Sequence, residues 1–192
     1  LCADDYAIAP GVSQAICELA QRGRLSATGC MATSTFWPEH AKWLRPFHQH
    51  IDVGLHLTLT QARPSSESPH LHPLGAMPRL MPKGHMPTFG RLLRLAITRQ
   101  LDPVEITEEF SRQLDAFEKH FKATPVFLDG HHHIQQLPVI RDVVAKLSAE
   151  RLKKIGGYVR VCWEKLEVIM RRGVDPFKTA MVALPGGSLK RQ

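Results

Sequence analysis

Short apolar runs of strand length alternate with helical patterns along this chain, and no other feature restricts the fold as strongly. Residues 1–6 resemble the end of a strand, residues 26–32 resemble the next strand, and a helical pattern over residues 10–20 separates them. A short helix is predicted at residues 37–44 and a third strand at residues 53–59. Strands separated by helices pair in parallel, with the helices packed outside the sheet. We therefore predict an α/β fold.

The second half of the chain continues this alternation. Residues 124–128 and 158–162 are typical of strands, and the helices predicted at residues 103–122 and 139–152 each carry an apolar stripe. Between the two halves, prolines and glycines recur through residues 61–90 and exclude a long helix or a central strand. We expect a loop over the functional site there, with a disordered linker as the alternative.

A row of polar residues lies on the helix predicted at residues 103–122. Glu105, Glu109 and Gln113 are spaced four residues apart, so they share one face. A solvent-exposed face is the ordinary interpretation of such a row.

Carboxylate and imidazole groups follow the strand predicted at residues 124–128. Asp129 is followed closely by His131, His132 and His133. In a continued strand, Asp129, His131 and His133 would lie on one side and His132 on the other. Such a cluster usually binds a metal, and active sites of parallel α/β folds collect at the carboxyl ends of strands. A solvated run of histidines is the alternative.

Two other predicted strand ends carry similar groups. Asp4 and Asp5 end the first strand, and His56 lies within the third. Alone, paired aspartates are typical of a solvated turn or a helix N-cap, and a single strand histidine is usually a hydrogen-bonded core residue. Together with the histidine cluster, they supply the ligands of a divalent metal with an open coordination position.

These residues resemble the YdjC-like carbohydrate deacetylases, which include the chitooligosaccharide deacetylases. The matching motifs are Ala3-Asp4-Asp5-Tyr6 with Pro10-Gly11-Val12, Gly23-Arg24-Leu25-Ser26-Ala27-Thr28, Gly54-Leu55-His56-Leu57-Thr58-Leu59-Thr60, the Glu105/Glu109/Gln113 helix and Asp129-Gly130-His131-His132-His133. The resemblance covers about residues 1–160. It implies a hydrolase that removes N-acetyl groups from amino sugars, built on a distorted (β/α) barrel that is incomplete at the termini of this chain. We treat residues 1–192 as a single domain.

The resemblance also implies a role for each residue of the site. Asp5, His56 and His131 would hold one divalent ion, magnesium or zinc, which lowers the pKa of a bound water and polarises the amide carbonyl. Asp4 would be the general base, and His133 would protonate the leaving amine. The roles of Asp4 and Asp5 could be exchanged.

Asp129 and Arg160 are predicted to contact the substrate, because Arg160 lies on the strand predicted at residues 158–162 and could face the site.

Two features depart from the family pattern. This chain has Ile134-Gln135 where many members have a further histidine, and it lacks their C-terminal His-Pro-Gly segment.

Composition excludes several classes of protein. The four cysteines are widely separated, which argues against a zinc ribbon or a disulfide framework and indicates reduced thiols, so we expect a cytoplasmic protein. No apolar run approaches the roughly 20 residues of a membrane span. The net charge of +7 comes from scattered basic residues, so we expect no nucleic-acid partner. The expected partner is an acetylated amino sugar or oligosaccharide, and a homodimer is left open.

Two alternative functions stay open on the sequence. One is a sugar-binding protein of the same fold that has lost turnover. The other is a different metal-dependent amidase or a phosphoesterase, because sites of one aspartate and two histidines serve several chemistries.

Overall fold

Five parallel strands form one sheet in the computed structural model, which describes residues 1–61, 70–162, 167, 168 and 171. The strands are β1 (Cys2–Tyr6), β2 (Ala27–Cys30), β3 (Asp52–Leu57), β4 (Phe127–Gly130) and β5 (Tyr158–Val159). Each strand pairs in parallel with the next one along the chain. Parallel strands in chain order, with helices between them, are the arrangement of a (β/α) barrel. The predicted fold class is confirmed.

Helices connect these strands. They are α1 (Pro10–Gln21), α2 (Trp37–Leu44), α3 (Phe89–Ile97), α4 (Pro103–Phe121) and α5 (Ile140–Arg151), with short 3-10 turns at Arg45–Phe47, His131–Gln136 and Lys153–Ile155. The sequence pattern missed α3, which buries only Leu92 and Ala96 and begins where the Thr88 side chain accepts a hydrogen bond from the Arg91 amide. Within the described ranges, no helix is both long and apolar enough to cross a bilayer.

Helix α4 supplies a large part of the hydrophobic core. Phe110, Leu114 and Phe117 are fully buried on its inner face. The Trp37 ring of α2 stacks on Phe117 with ring centres 5.1 Å apart. Val104, near the start of the same helix, has a side chain that is 62% exposed, so it lies outside this buried stripe.

Strands β3 and β4 approach closely where Gly54 faces Phe127. A Cβ atom at Gly54 would lie 2.4 Å from two carbons of the Phe127 ring, so only glycine fits. The register of this pair sets His56 directly opposite Asp129. Residues opposed in register point to the same face of a sheet, so the two side chains meet.

The described part of the segment predicted as a long loop, residues 70–88, is packed into the core. Its buried apolar side chains are Leu71, Met77, Leu80, Met81 and Met86. Leu71 also forms an antiparallel bridge with Ser34, just after β2. The alternative of a disordered linker is therefore wrong for this part, while residues 62–69 of the prediction lie outside the described residues.

Candidate metal centre

The end of β1 presents both of its aspartates to one region. The pairing of β1 with β2 slips between Ala3 and Tyr6, and Asp5 has a φ of 64°. Irregular pairing of this kind re-aims side chains, and a left-handed backbone is strained for a residue with a Cβ. Asp5 therefore contacts His56 and His131. Asp4 instead contacts Arg160, the residue that follows β5.

Asp5, His56 and His131 converge from three separate strand ends. Oδ1 of Asp5 lies 3.3 Å from Nε2 of His56 and 3.0 Å from Nδ1 of His131. One potential ligand atom from each residue lies within 4.8 Å of the others. Both histidines are buried, with 3% and 5% of their surface exposed. The structure thus brings together the three residues that the family resemblance proposes as metal ligands.

The orientation of His56 is fixed by Asp129. Nδ1 of His56 donates to Oδ1 of Asp129 over 2.6 Å, and Asp129 is fully buried. With its proton on Nδ1, the neutral ring carries its lone pair on Nε2, the atom that faces Asp5. A carboxylate that holds the far nitrogen of a histidine in this way is the usual support of a metal ligand.

Gly29 of β2 leaves room for this pair. A Cβ atom there would lie 3.2 Å from Nδ1 of His56 and 3.3 Å from Oδ1 of Asp129, closer than most such contacts. The sequence pattern did not indicate this role, because Gly29 becomes a neighbour of His56 only when β2 and β3 pair.

The charges of this cluster shift the pKa values of His56 and Asp5 strongly. Burial alone would lower the pKa of His56, but the Asp129 and Asp5 carboxylates outweigh it and raise that pKa to about 10. Burial acts to raise the pKa of Asp5, yet hydrogen bonds with His131 and His56 hold it well below its usual range. The pair of carboxylates therefore favours a cation at this position.

His132 and His133 do not continue the strand as predicted. Strand β4 ends at Gly130, and both histidines have a left-handed backbone, with φ values of 56° and 58°. Nδ1 of His132 lies 3.0 Å from the Thr60 hydroxyl, and burial lowers the pKa of His132 to about 4. Nδ1 of His133 lies 3.4 Å from Sγ of Cys162. The prediction that the strand continues through His133 is therefore wrong.

Arg160 connects two carboxylates beside the centre. Its guanidinium lies 2.6 Å from Oδ1 of Asp4 and also forms an ion pair with Oδ2 of Asp129. The Arg160 carbonyl accepts a hydrogen bond from the Gln135 side chain at 3.0 Å. Asp129 and Arg160 were predicted to contact substrate, but the structure pairs them with each other, and Asp129 has no exposed surface. The two side chains thus contact His56 and Asp4, and their contact with substrate stays a prediction.

The geometry suits a single divalent ion. Ligand atoms about 2.0–2.1 Å from a tetrahedral zinc ion are separated by about 3.3 Å, close to the separations measured from Asp5. Nε2 of His131 is buried and has no hydrogen-bond partner among the described residues. Two imidazole nitrogens and one carboxylate oxygen are a donor set that zinc and related ions accept.

Comparison with known proteins shows the family of this chain. The profile of the YdjC-like protein family matches residues 1–185. The chain belongs to the YdjC-like family. A chitooligosaccharide deacetylase from Serratia marcescens is 33% identical over 142 residues, which is 74% of this chain and 52% of that protein. The chain thus spans about half the length of this relative.

Solved structures support the fold. A protein from Enterococcus faecalis V583, whose description suggests cellobiose-phosphate cleavage, superposes with a TM-score of 0.65 at 18% identity, over 89% of this chain and 72% of its own. At this identity the likeness shows the fold alone. A family 4 carbohydrate esterase from Streptomyces lividans in complex with acetate gives a TM-score of 0.43 at 13% identity, over 99% of this chain and 85% of its own, which is too low for a structural argument.

Proposed function

We propose that this protein is a metal-dependent hydrolase that removes N-acetyl groups from amino sugars or short oligosaccharides. The observation that carries the proposal is the convergence of Asp5, His56 and His131 at the carboxyl ends of the strands. Membership of the YdjC-like family and the similarity to a chitooligosaccharide deacetylase support the choice of substrate.

In this proposal Asp5, His56 and His131 hold the divalent ion. When bound, such an ion polarises an amide carbonyl and makes a water molecule more acidic. Asp129 holds the Nδ1 proton of His56, so Nε2 is the nitrogen that would bind the ion once the ion displaces its proton. The buried position of both histidines limits competition from bulk water for the same ligands.

Asp4 acts as the general base. Its Oδ1 accepts from Arg160 at 2.6 Å and lies 3.6 Å from Sγ of Cys2. These contacts fix the carboxylate, and Oδ2 accepts the proton of the attacking water. Because adjacent Asp5 contacts His56 and His131, the two aspartates have different environments, which favours this division of roles.

His133 donates the proton that the leaving amine needs. Burial lowers its pKa, so a proton on this imidazole is given up readily. The negative charge of Asp4 acts to raise that pKa, and the positive charge of Arg160 acts to lower it.

Acetate release tests the proposal. Metal-loaded protein is incubated with N-acetylglucosamine oligomers, and free acetate and free amine are measured together. We expect equal amounts of both. Asp4→Asn should retain the metal and lower turnover by roughly 10² or more, whereas Asp5→Asn should lose the metal. Binding of the oligomers without any acetate would point to a sugar-binding protein and contradict the proposed hydrolysis.

A further inference from the structure

The polar row on α4 is not the solvent-exposed face that its spacing suggests. Glu109 and Gln113 have no exposed surface, and Glu105 is half-buried. A buried carboxylate loses its hydration, so its oxygens need hydrogen-bond donors from the protein. The partners of this row show what it holds.

Glu109 binds two consecutive backbone amides of the packed segment. Its Oε1 accepts from the Leu74 amide at 2.9 Å, and its Oε2 accepts from the Gly75 amide at 3.1 Å. Gln113 donates to Oε1 and Arg112 donates to Oε2. Four donors match the four acceptor positions of a carboxylate.

Glu105 repeats this arrangement one helical turn earlier. Its two oxygens accept from the amides of Arg79 and Leu80 at 2.9 and 3.2 Å. Two side chains on one helix face therefore each hold a pair of neighbouring amides. Hydrogen bonds to the two carboxylates therefore hold both ends of residues 74–80.

Gln113 forms hydrogen bonds with the chain just after β3, the strand that carries His56. Its side chain accepts from the Thr58 amide at 3.0 Å and donates to the Thr58 carbonyl at 2.8 Å. Thr58 lies two residues after His56. The same face of α4 therefore sets the positions of residues 74–80 and of the end of β3.

The segment that includes residues 74–80 is attached on both flanks to the carboxyl side of the sheet. Before it, the His72 amide donates to the Thr33 carbonyl, beyond β2. After it, the Pro87 carbonyl accepts from the Gln61 amide, beyond β3. This is the side of the sheet on which the candidate metal centre lies.

We propose that Glu105 and Glu109 are positioning residues that hold residues 74–80 as a preformed wall on the carboxyl side of the sheet, the side of the metal centre, and that the outer sugar units of an oligosaccharide bind against this wall. This inference rests on the proposed function. It replaces a loop that closes over the sugar with a surface that is fixed before the substrate arrives. A preformed wall costs less ordering on binding than a mobile one.

Two substitutions and a matched control test the wall. Glu109→Gln and Glu105→Gln each replace one acceptor oxygen with a donor that opposes the backbone amides. Glu108→Gln is the control, because Glu108 is exposed on the same helix and pairs only weakly, at 3.7 Å, with Arg112. Hydrogen exchange should accelerate at the amides of residues 74 and 75 in Glu109→Gln, and at those of residues 79 and 80 in Glu105→Gln. It should stay unchanged in the control.

Binding of the N-acetylglucosamine tetramer to metal-free protein should weaken about tenfold in both variants and not in the control. In the metal-loaded protein KM for the tetramer should rise about tenfold, whereas kcat and the metal dissociation constant should be unchanged. Glu105→Gln keeps the test valid if the Glu109 variant does not fold. Two results would overturn the inference. One is a wild-type affinity for the tetramer in variants whose amide hydrogen exchange is accelerated. The other is unchanged hydrogen exchange in both variants. A wild-type protein that binds the tetramer without releasing acetate would contradict only the proposed hydrolysis, and failure to bind it would contradict both.

Discussion

Asp129 owes its role to two partners that approach it from different strands. Its carboxylate lies between the His56 imidazole and the Arg160 guanidinium, with no exposed surface. A buried charge needs such partners, because removing a carboxylate from water is costly. The residue therefore couples the position of His56 to that of Arg160.

Replacing Asp129 with asparagine tests this coupling. The amide cannot carry the charge that supports His56 and Arg160, so we expect zinc affinity to fall about 10- to 100-fold in calorimetric titration. Asp52→Asn is the control, because Asp52 lies at the opposite end of β3 and accepts from the Tyr158 hydroxyl. Equal zinc affinity in wild type and Asp129→Asn would show that Asp129 does not support the ligand.

At the residue scale, the sequence indicated candidate site residues, but it did not indicate which residues their side chains contact. Strand ends and family motifs indicated Asp5, His56 and His131 because polar residues there stand out against apolar strands. The partners of Asp129 and Arg160 could not be predicted, because both depend on pairing between distant strands. The turn of His133 away from the strand depends on a left-handed backbone, which histidine adopts only in a suitable tertiary setting.

At the element scale, α2 and α4 were predictable because their apolar residues follow a helical period. The error in α4 concerned its polar face, where Glu109 and Gln113 are buried. Spacing shows which residues share a face, but it does not show what packs against that face. Residues 70–88 cover it, and their irregular backbone has no period that a pattern could detect.

The core contact between α2 and α4 makes a stability prediction. Phe117→Ala removes a fully buried ring that stacks on Trp37, and we expect the free energy of unfolding to fall by about 3–5 kcal/mol. Val104→Ala, at an exposed position on the same helix, should change it by less than about 0.5 kcal/mol. Urea denaturation of both variants measures the difference, and similar losses would mean that α4 is oriented differently.

At the scale of the whole molecule, the alternation of strands and helices predicted the parallel pairing, and the structure adds the strand order β1-β2-β3-β4-β5. That order brings β1, β3 and β4 to a common edge, although β1 and β4 are more than a hundred residues apart in the chain. The match to the YdjC-like family spans residues 1–185 and includes all five strands of the sheet.

Metal binding should stabilise the whole fold, because the ligands meet only in the folded chain. Zinc at 100 times its dissociation constant should raise the free energy of unfolding by about 2.7 kcal/mol. His131→Gln should remove this gain, and thermal unfolding with and without zinc measures it. An equal gain in the variant would place the bound zinc elsewhere.

Anomalous scattering from zinc-loaded crystals tests the central claim most directly, because it locates the ion without any assumption about activity. The account predicts one strong peak about 2.0–2.2 Å from a carboxylate oxygen of Asp5 and a ring nitrogen of each of His56 and His131. A peak at another position, or no peak near these three side chains in protein that has bound zinc, would contradict it.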